Sequence, residues 1–193
     1  MHGLYMPDGF DAYKVRGRNY LVTAGEGDAR EYFFDIEEED LLVGETEAEA
    51  CERLGGLDYD EDDGCLSYID EADIEDIPDS KFDPVAFPNI TELKKEENLG
   101  RLAIVTTEGD TDGDGDYDEL FIFGSRSITI WDANGNFVAD TGATIEEQTA
   151  LETTNCAPSE ELKDCSGFNS DNDENDSFDS RSDAKGPEPE GVV

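Results

Sequence analysis

Positive charge is what this chain lacks. Only 13 lysines and arginines stand against 52 aspartates and glutamates in 193 residues, a formal net charge of -39, and there is a single histidine, His2. A phosphate backbone demands a basic patch, so nucleic acid is excluded as a partner. Attraction to anionic membrane headgroups fails on the same ground. No apolar run approaches the length of a membrane span, and the opening MHGLYMPDGF has neither a basic region nor an apolar signal core. If the protein is exported, its leader lies outside this sequence. There is no G-x-S-x-G elbow and no G-x-x-x-x-G-K-[ST] loop, and one histidine leaves little for nucleophilic catalysis.

Apolar residues are also scarce, at 36% against about 45–50% in ordinary domains. The length still allows one domain with a sizeable core. Self-repulsion at this charge opposes a compact state unless cations offset it, so the fold is expected to depend on divalent ions.

The acidity is patterned. Residues 109–119, GDTDGDGDYDE, carry aspartate at every second position: Asp110, Asp112, Asp114, Asp116 and Asp118, followed by Glu119. Calcium takes six to eight oxygen ligands, and alternating carboxylates around Gly113 and Gly115 supply them from one short turn. An EF-hand loop begins in the same way, but counting from Asp110 puts Phe121 where its bidentate glutamate belongs, with β-type sequence in place of the following helix. The reading is a strand, a calcium loop and a strand. A merely solvated acidic turn is the alternative, and the spacing argues against it.

Four cysteines pair most simply as Cys51 with Cys65 and Cys156 with Cys165, each closing a short loop. A zinc site is less favoured, since these spacings are wide and His2 is remote in sequence. Two N-glycosylation sequons, at Asn89 and Asn175, agree with export.

In chain order, residues 10–15 and 19–24 read as strands around an Arg16-Gly17-Arg18 turn, a partial blade within residues 1–32. Behind them Glu26, Asp28, Arg30 and Glu31 cluster as a solvated turn or a site. Residues 33–97 read as an irregular acidic insertion, with a short helix over 48–54 and the first cysteine loop. Four strands are then expected within residues 98–143, over 100–107, 119–124, 127–132 and 137–140, the last two joined at Asn134-Gly135. In succession they look like one propeller blade, with Trp131 as a plug between blades. Residues 144–193 start as a helix at Thr144 and continue as an acidic segment leading to a next blade. Within it Asn169, Asp171, Asp173, Asn175 and Asp179 repeat the alternating oxygens, so a second cation site is expected there.

Three segments, residues 6–32, 100–142 and 169–192, together resemble the choice-of-anchor I family of extracellular β-propellers. That family includes mesenchyme-specific cell-surface glycoproteins of biomineralising animal cells and secreted bacterial relatives labelled alkaline phosphatase. The resemblance implies an all-β fold: an incomplete β-propeller of about two blades of antiparallel strands, with long acidic loops and the disulfide-closed insertion. It also implies that Glu26, Asp28 and Arg30, with Asp183, Glu188 and Glu190, form an acidic site at strand ends facing the axis. The chain is then either part of a longer propeller or a short form whose open edges are completed by a homo-oligomer or filament.

The expected function is that of a secreted or cell-surface acidic protein that binds calcium in a matrix or biomineral setting. The alternative is a calcium-dependent phosphatase or phytase-like hydrolase, with Arg30, Arg181 and Lys185 contacting phosphate. So negative a field works against an anionic substrate. A third reading takes the charge as adaptation to high salt, without specific metal sites.

Overall fold

The computed structural model describes residues 1–151, 167–170 and 178–193. Its strands are β1 (His2–Gly3), β2 (Phe10–Val15), β3 (Arg18–Ala24), β4 (Glu31–Phe34), β5 (Asp58–Asp60), β6 (Gly64–Ile69), β7 (Glu71–Asp73), β8 (Ala103–Val105), β9 (Phe121–Ile122), β10 (Ile128–Asp132) and β11 (Phe137–Asp140). The helices are α1 (Glu47–Leu54), α2 (Ile90–Leu93) and α3 (Thr144–Leu151). The architecture is all-β with a few short helices, and among the described residues no sheet closes into a barrel, in keeping with part of a propeller. The chain forms two compact units, Met1–Asp28 with Ala72–Val193, and Ala29–Glu71.

The largest sheet lies in the first unit, in the order β11-β10-β3-β2. Arg16 (φ 49°) and Gly17 (φ 83°) both adopt the left-handed conformation, the requirement of the tight turn that joins β2 to β3. At the other hairpin the Asp132 carboxylate accepts the N–H groups of Asn134 and Asn136 at 2.8 and 3.0 Å. Trp131 is half-buried rather than a sealed plug. It stands edge-on to Tyr5, with ring centroids 5.3 Å apart, and its Nε1 donates to Thr23 Oγ1 at 3.0 Å.

The four strands expected as one blade all exist, but they divide among sheets. β10 and β11 join β3 and β2, β9 runs parallel to β1, and β8 pairs with β7. The cause is local. Gly124 (φ 69°) and Arg126 (φ 56°) break the ladder after Phe123. Gly25, just past β3, then exchanges backbone hydrogen bonds with Ser125 and Ser127 at 3.1 and 3.0 Å. That exchange hands β10 to β3 instead of β9.

The core of this unit gathers Ile74, Ile77, Phe82, Leu102, Ile104, Leu120 and Ile122. Three of the seven come from the stretch expected to be insertion. Full burial of side chains of this size stabilises by about 1.5–3 kcal/mol each. Residues 72–97 therefore serve the core, and only residues 29–71 form a separate unit.

That second unit is a three-stranded antiparallel sheet, β4-β6-β5, with α1 beside it. Thr46 and Glu49 cap the helix start reciprocally, and Gly55 (φ 91°) ends it. The expected Cys51–Cys65 disulfide is formed and ties α1 to β6. Closing a loop of this length contributes about 3 kcal/mol, valuable where so few side chains are buried. Buried Asp70 fastens the start of the unit, accepting the N–H and Nε of Arg30, both at 2.7 Å. Cys156 and Cys165 lie outside the described residues. Among the described residues no helix is long and apolar enough to cross a membrane.

Candidate metal centre

The aspartate loop connects β8 to β9. Its ends are closed by the Gly109 carbonyl, which accepts from the N–H groups of Asp118 and Glu119 at 2.9 and 3.1 Å. Inside, Asp110, Asp112, Asp114 and Asp118 fold the backbone around their carboxylates. Asp110 accepts from Gly113 and Gly115 at 2.7 and 3.0 Å, and Asp112 accepts from Asp114 at 3.2 Å. Asp118 takes both the N–H and the hydroxyl of Thr111, at 2.8 and 2.7 Å.

The loop presents two sets of three carboxylates, each with one oxygen per residue lying within 4.8 Å of the others. Asp110, Asp112 and Asp114 form the exposed set. Asp116 and Asp118 form a half-buried set with Asp83, a residue the sequence reading did not select. Asp83 arrives through a short parallel bridge: Tyr117 N–H donates to the Lys81 carbonyl at 2.8 Å, and Asp83 N–H donates to the Tyr117 carbonyl at 3.0 Å. Tyr117 is itself pinned, its hydroxyl donating to the Thr106 carbonyl at 3.1 Å. The signal available in sequence was an aspartate before Pro84 whose carboxylate caps the following turn, at 2.6 Å from the Ala86 N–H.

The electrostatics separate the loop's members. Asp112 is raised above the ordinary aspartate range chiefly by Asp114. Withdrawal from water raises Asp116, with Asp114, Asp83 and Asp118 adding to it. Asp118 is lowered by its bonds to Thr111. The Asp116 Oδ1 atom is buried with no hydrogen-bond partner. A carboxylate oxygen cut off from both water and donors, among three other acids, fits a hard divalent cation better than it fits a bare turn.

Other expected site residues are placed as follows. Glu119 belongs to neither set; its Oε2 lies 3.4 Å from His2 Nε2. Asn169 is buried and Asp179 accepts from the Ser182 hydroxyl, whereas Asp171, Asp173 and Asn175 lie outside the described residues. Asn89 is exposed. Glu26 is raised first by burial, then by the charges of Asp8, Glu190, Asp28 and Glu188. Lys185 pairs with Asp28, and Arg181 with Glu188. Asp183 instead pairs with Arg101, and Arg30, in the other compact unit, with Asp70.

The model of the choice-of-anchor I domain family matches residues 1–193. The chain belongs to that family. As a choice-of-anchor I domain it carries a description that refers to an anchor and names no reaction. Neither a curated protein nor a solved structure matches it.

Proposed function

We propose that this choice-of-anchor I domain is a calcium-binding, non-enzymatic module of the cell surface or extracellular matrix. The observation that carries the reading is the half-buried set Asp83, Asp116 and Asp118, in which one oxygen of Asp116 is buried and partnerless. A calcium ion there neutralises carboxylates that otherwise repel one another, and it clamps the segment around Asp83 to the β8–β9 connection. The exposed set, Asp110, Asp112 and Asp114, binds more loosely and suits contact with a mineral or matrix surface.

The hydrolase reading has less support. Its three candidate phosphate contacts, Arg30, Arg181 and Lys185, are each held by a carboxylate, Asp70, Glu188 and Asp28 respectively. Among the described residues β2 and β11 are the edges of the large sheet, which favours completion by more blades or by a second copy.

Calcium titration calorimetry at fixed ionic strength tests the proposal. A saturable site lost in Asp116→Asn/Asp118→Asn supports it. Identical titrations for that variant and the parent chain sink it, and no saturable binding by the parent favours adaptation to salt instead.

A further inference from the structure

We propose that the cavity walled by Asn169, Glu188 and Glu190 is a second divalent-cation site, in which Asn169, the first residue of the later alternating run, joins two glutamates from outside that run. It shares no residue with the aspartate loop and does not depend on that loop binding calcium. The cavity measures about 180 Å³. A water occupies about 30 Å³, so an ion fits with part of its hydration shell.

The decisive residue is Asn169, which is only 4% exposed. Its Nδ2 donates to Glu146 Oε1 at 2.9 Å and to Ser182 Oγ at 2.8 Å. Because an ionised carboxylate only accepts, the amide nitrogen must face Glu146, and this settles which end of the amide is which. The oxygen is thereby turned away from both partners, and Asn169 Oδ1 is buried with no donor. A fixed, partnerless amide oxygen on a residue that lines a cavity costs stability unless something positive meets it.

Glu188 and Glu190 supply the charge on the same cavity. Arg181 engages Glu188 Oε1, which leaves one further carboxylate oxygen on Glu188 and two on Glu190 for a cation. An amide oxygen, two carboxylates and retained waters make the hard-oxygen donor set of calcium. Burial raises Glu26 first and the charges of Asp8, Glu190, Asp28 and Glu188 add to it; the part due to Glu190 and Glu188 is repulsion that such an ion relieves.

The test uses the full chain carrying Asp116→Asn/Asp118→Asn, titrated with calcium chloride in a calorimeter. One saturable site is expected to remain, and adding Glu190→Gln weakens it at least tenfold. Glu190 is exposed, so that variant folds. Asn169→Ala is expected to weaken the same site, with near-UV circular dichroism checking its fold. Unchanged binding in the Glu190→Gln variant overturns the inference. So does a lack of saturation by about 1 mM, the weak limit of extracellular calcium modules. Neither result touches the loop proposal, which fails if Asp116→Asn/Asp118→Asn binds as the parent does or if the parent shows no saturable site.

Discussion

The N–H of Asp83 donates to the carbonyl of Tyr117 at 3.0 Å, and this bond carries an acid from outside the aspartate loop to the side of Asp116 and Asp118. Calcium affinity should therefore depend on a residue 27 positions before the loop's first aspartate, Asp110. Asp83→Asn is expected to weaken calcium binding about tenfold, which by linkage lowers the calcium-bound melting temperature. Asp35→Asn, a change in the other compact unit, should leave it alone. Equal calorimetric affinities in the two variants would remove Asp83 from the site.

The same carboxylates set the response to pH. Asp112 and Asp116 titrate above the ordinary aspartate value of 3.8, so at these two positions the folded calcium-free chain holds protons more tightly than the unfolded chain does. Their contribution to stability is complete below that value and is lost as pH rises through the raised values. In chelator, Asp116→Asn should accordingly melt higher than the parent at neutral pH, and in excess calcium it should melt lower. A variant that melts lower under both conditions would show that Asp116 supports the loop without metal.

Local rules read much of this structure correctly. The Arg16-Gly17 and Asn134-Gly135 turns, the helix expected over 48–54 and found over Glu47–Leu54, and the Cys51–Cys65 pair all follow from residues near one another in sequence. Partnership between distant segments was not legible. Nothing in the short apolar run of residues 121–123 states that its ladder partner is β1, because two left-handed residues, Gly124 and Arg126, redirect the chain and Gly25 receives it. Ile74, Ile77 and Phe82 escaped for another reason: they sit in single turns of 3₁₀-helix or just beyond them, where neither a two-residue nor a 3.6-residue period develops. Asp83 shares that fate, since its role is fixed by a bridge to Tyr117.

Phe82 measures how far residues 72–97 belong to the core. The side chain is 3% exposed and packs edge-on to Phe87 and tilted against Tyr117. Phe82→Ala should destabilise by about 3–5 kcal/mol in urea unfolding. A loss below about 1 kcal/mol would return this segment to the status of a surface insertion.

The disulfide makes a complementary prediction for residues 29–71. Cys51→Ser/Cys65→Ser releases α1 from β6 and should cost that unit about 3 kcal/mol. Protease cleavage should then appear within residues 29–71, and the buried amides of β8 should keep their hydrogen-exchange protection. Loss of protection in both regions would mean that the two units unfold together.

Gly27 and Gly124 interlock more closely than any side chain allows. A Cβ on Gly27 would stand 1.9 Å from the Gly124 nitrogen, and a Cβ on Gly124 would stand 1.9 Å from the Glu26 carbonyl oxygen. Both residues are left-handed, at φ 84° and 69°, so alanine at either position carries the ordinary cost of that conformation, about 1–2 kcal/mol. Gly17 offers the control, because it has a similar φ of 83° and nothing within 4 Å of its missing Cβ. Gly17→Ala should cost only the conformational term. Gly27→Ala must also push backbone against backbone, with no flexible side chain to give way, and the displaced segment carries Glu26 and Asp28. Its denaturation midpoint should fall well below that of Gly17→Ala, and ion binding at the Glu188–Glu190 cavity should weaken with it. Equal midpoints for the two variants would show that the turn after β3 and the turn after β9 do not touch as described.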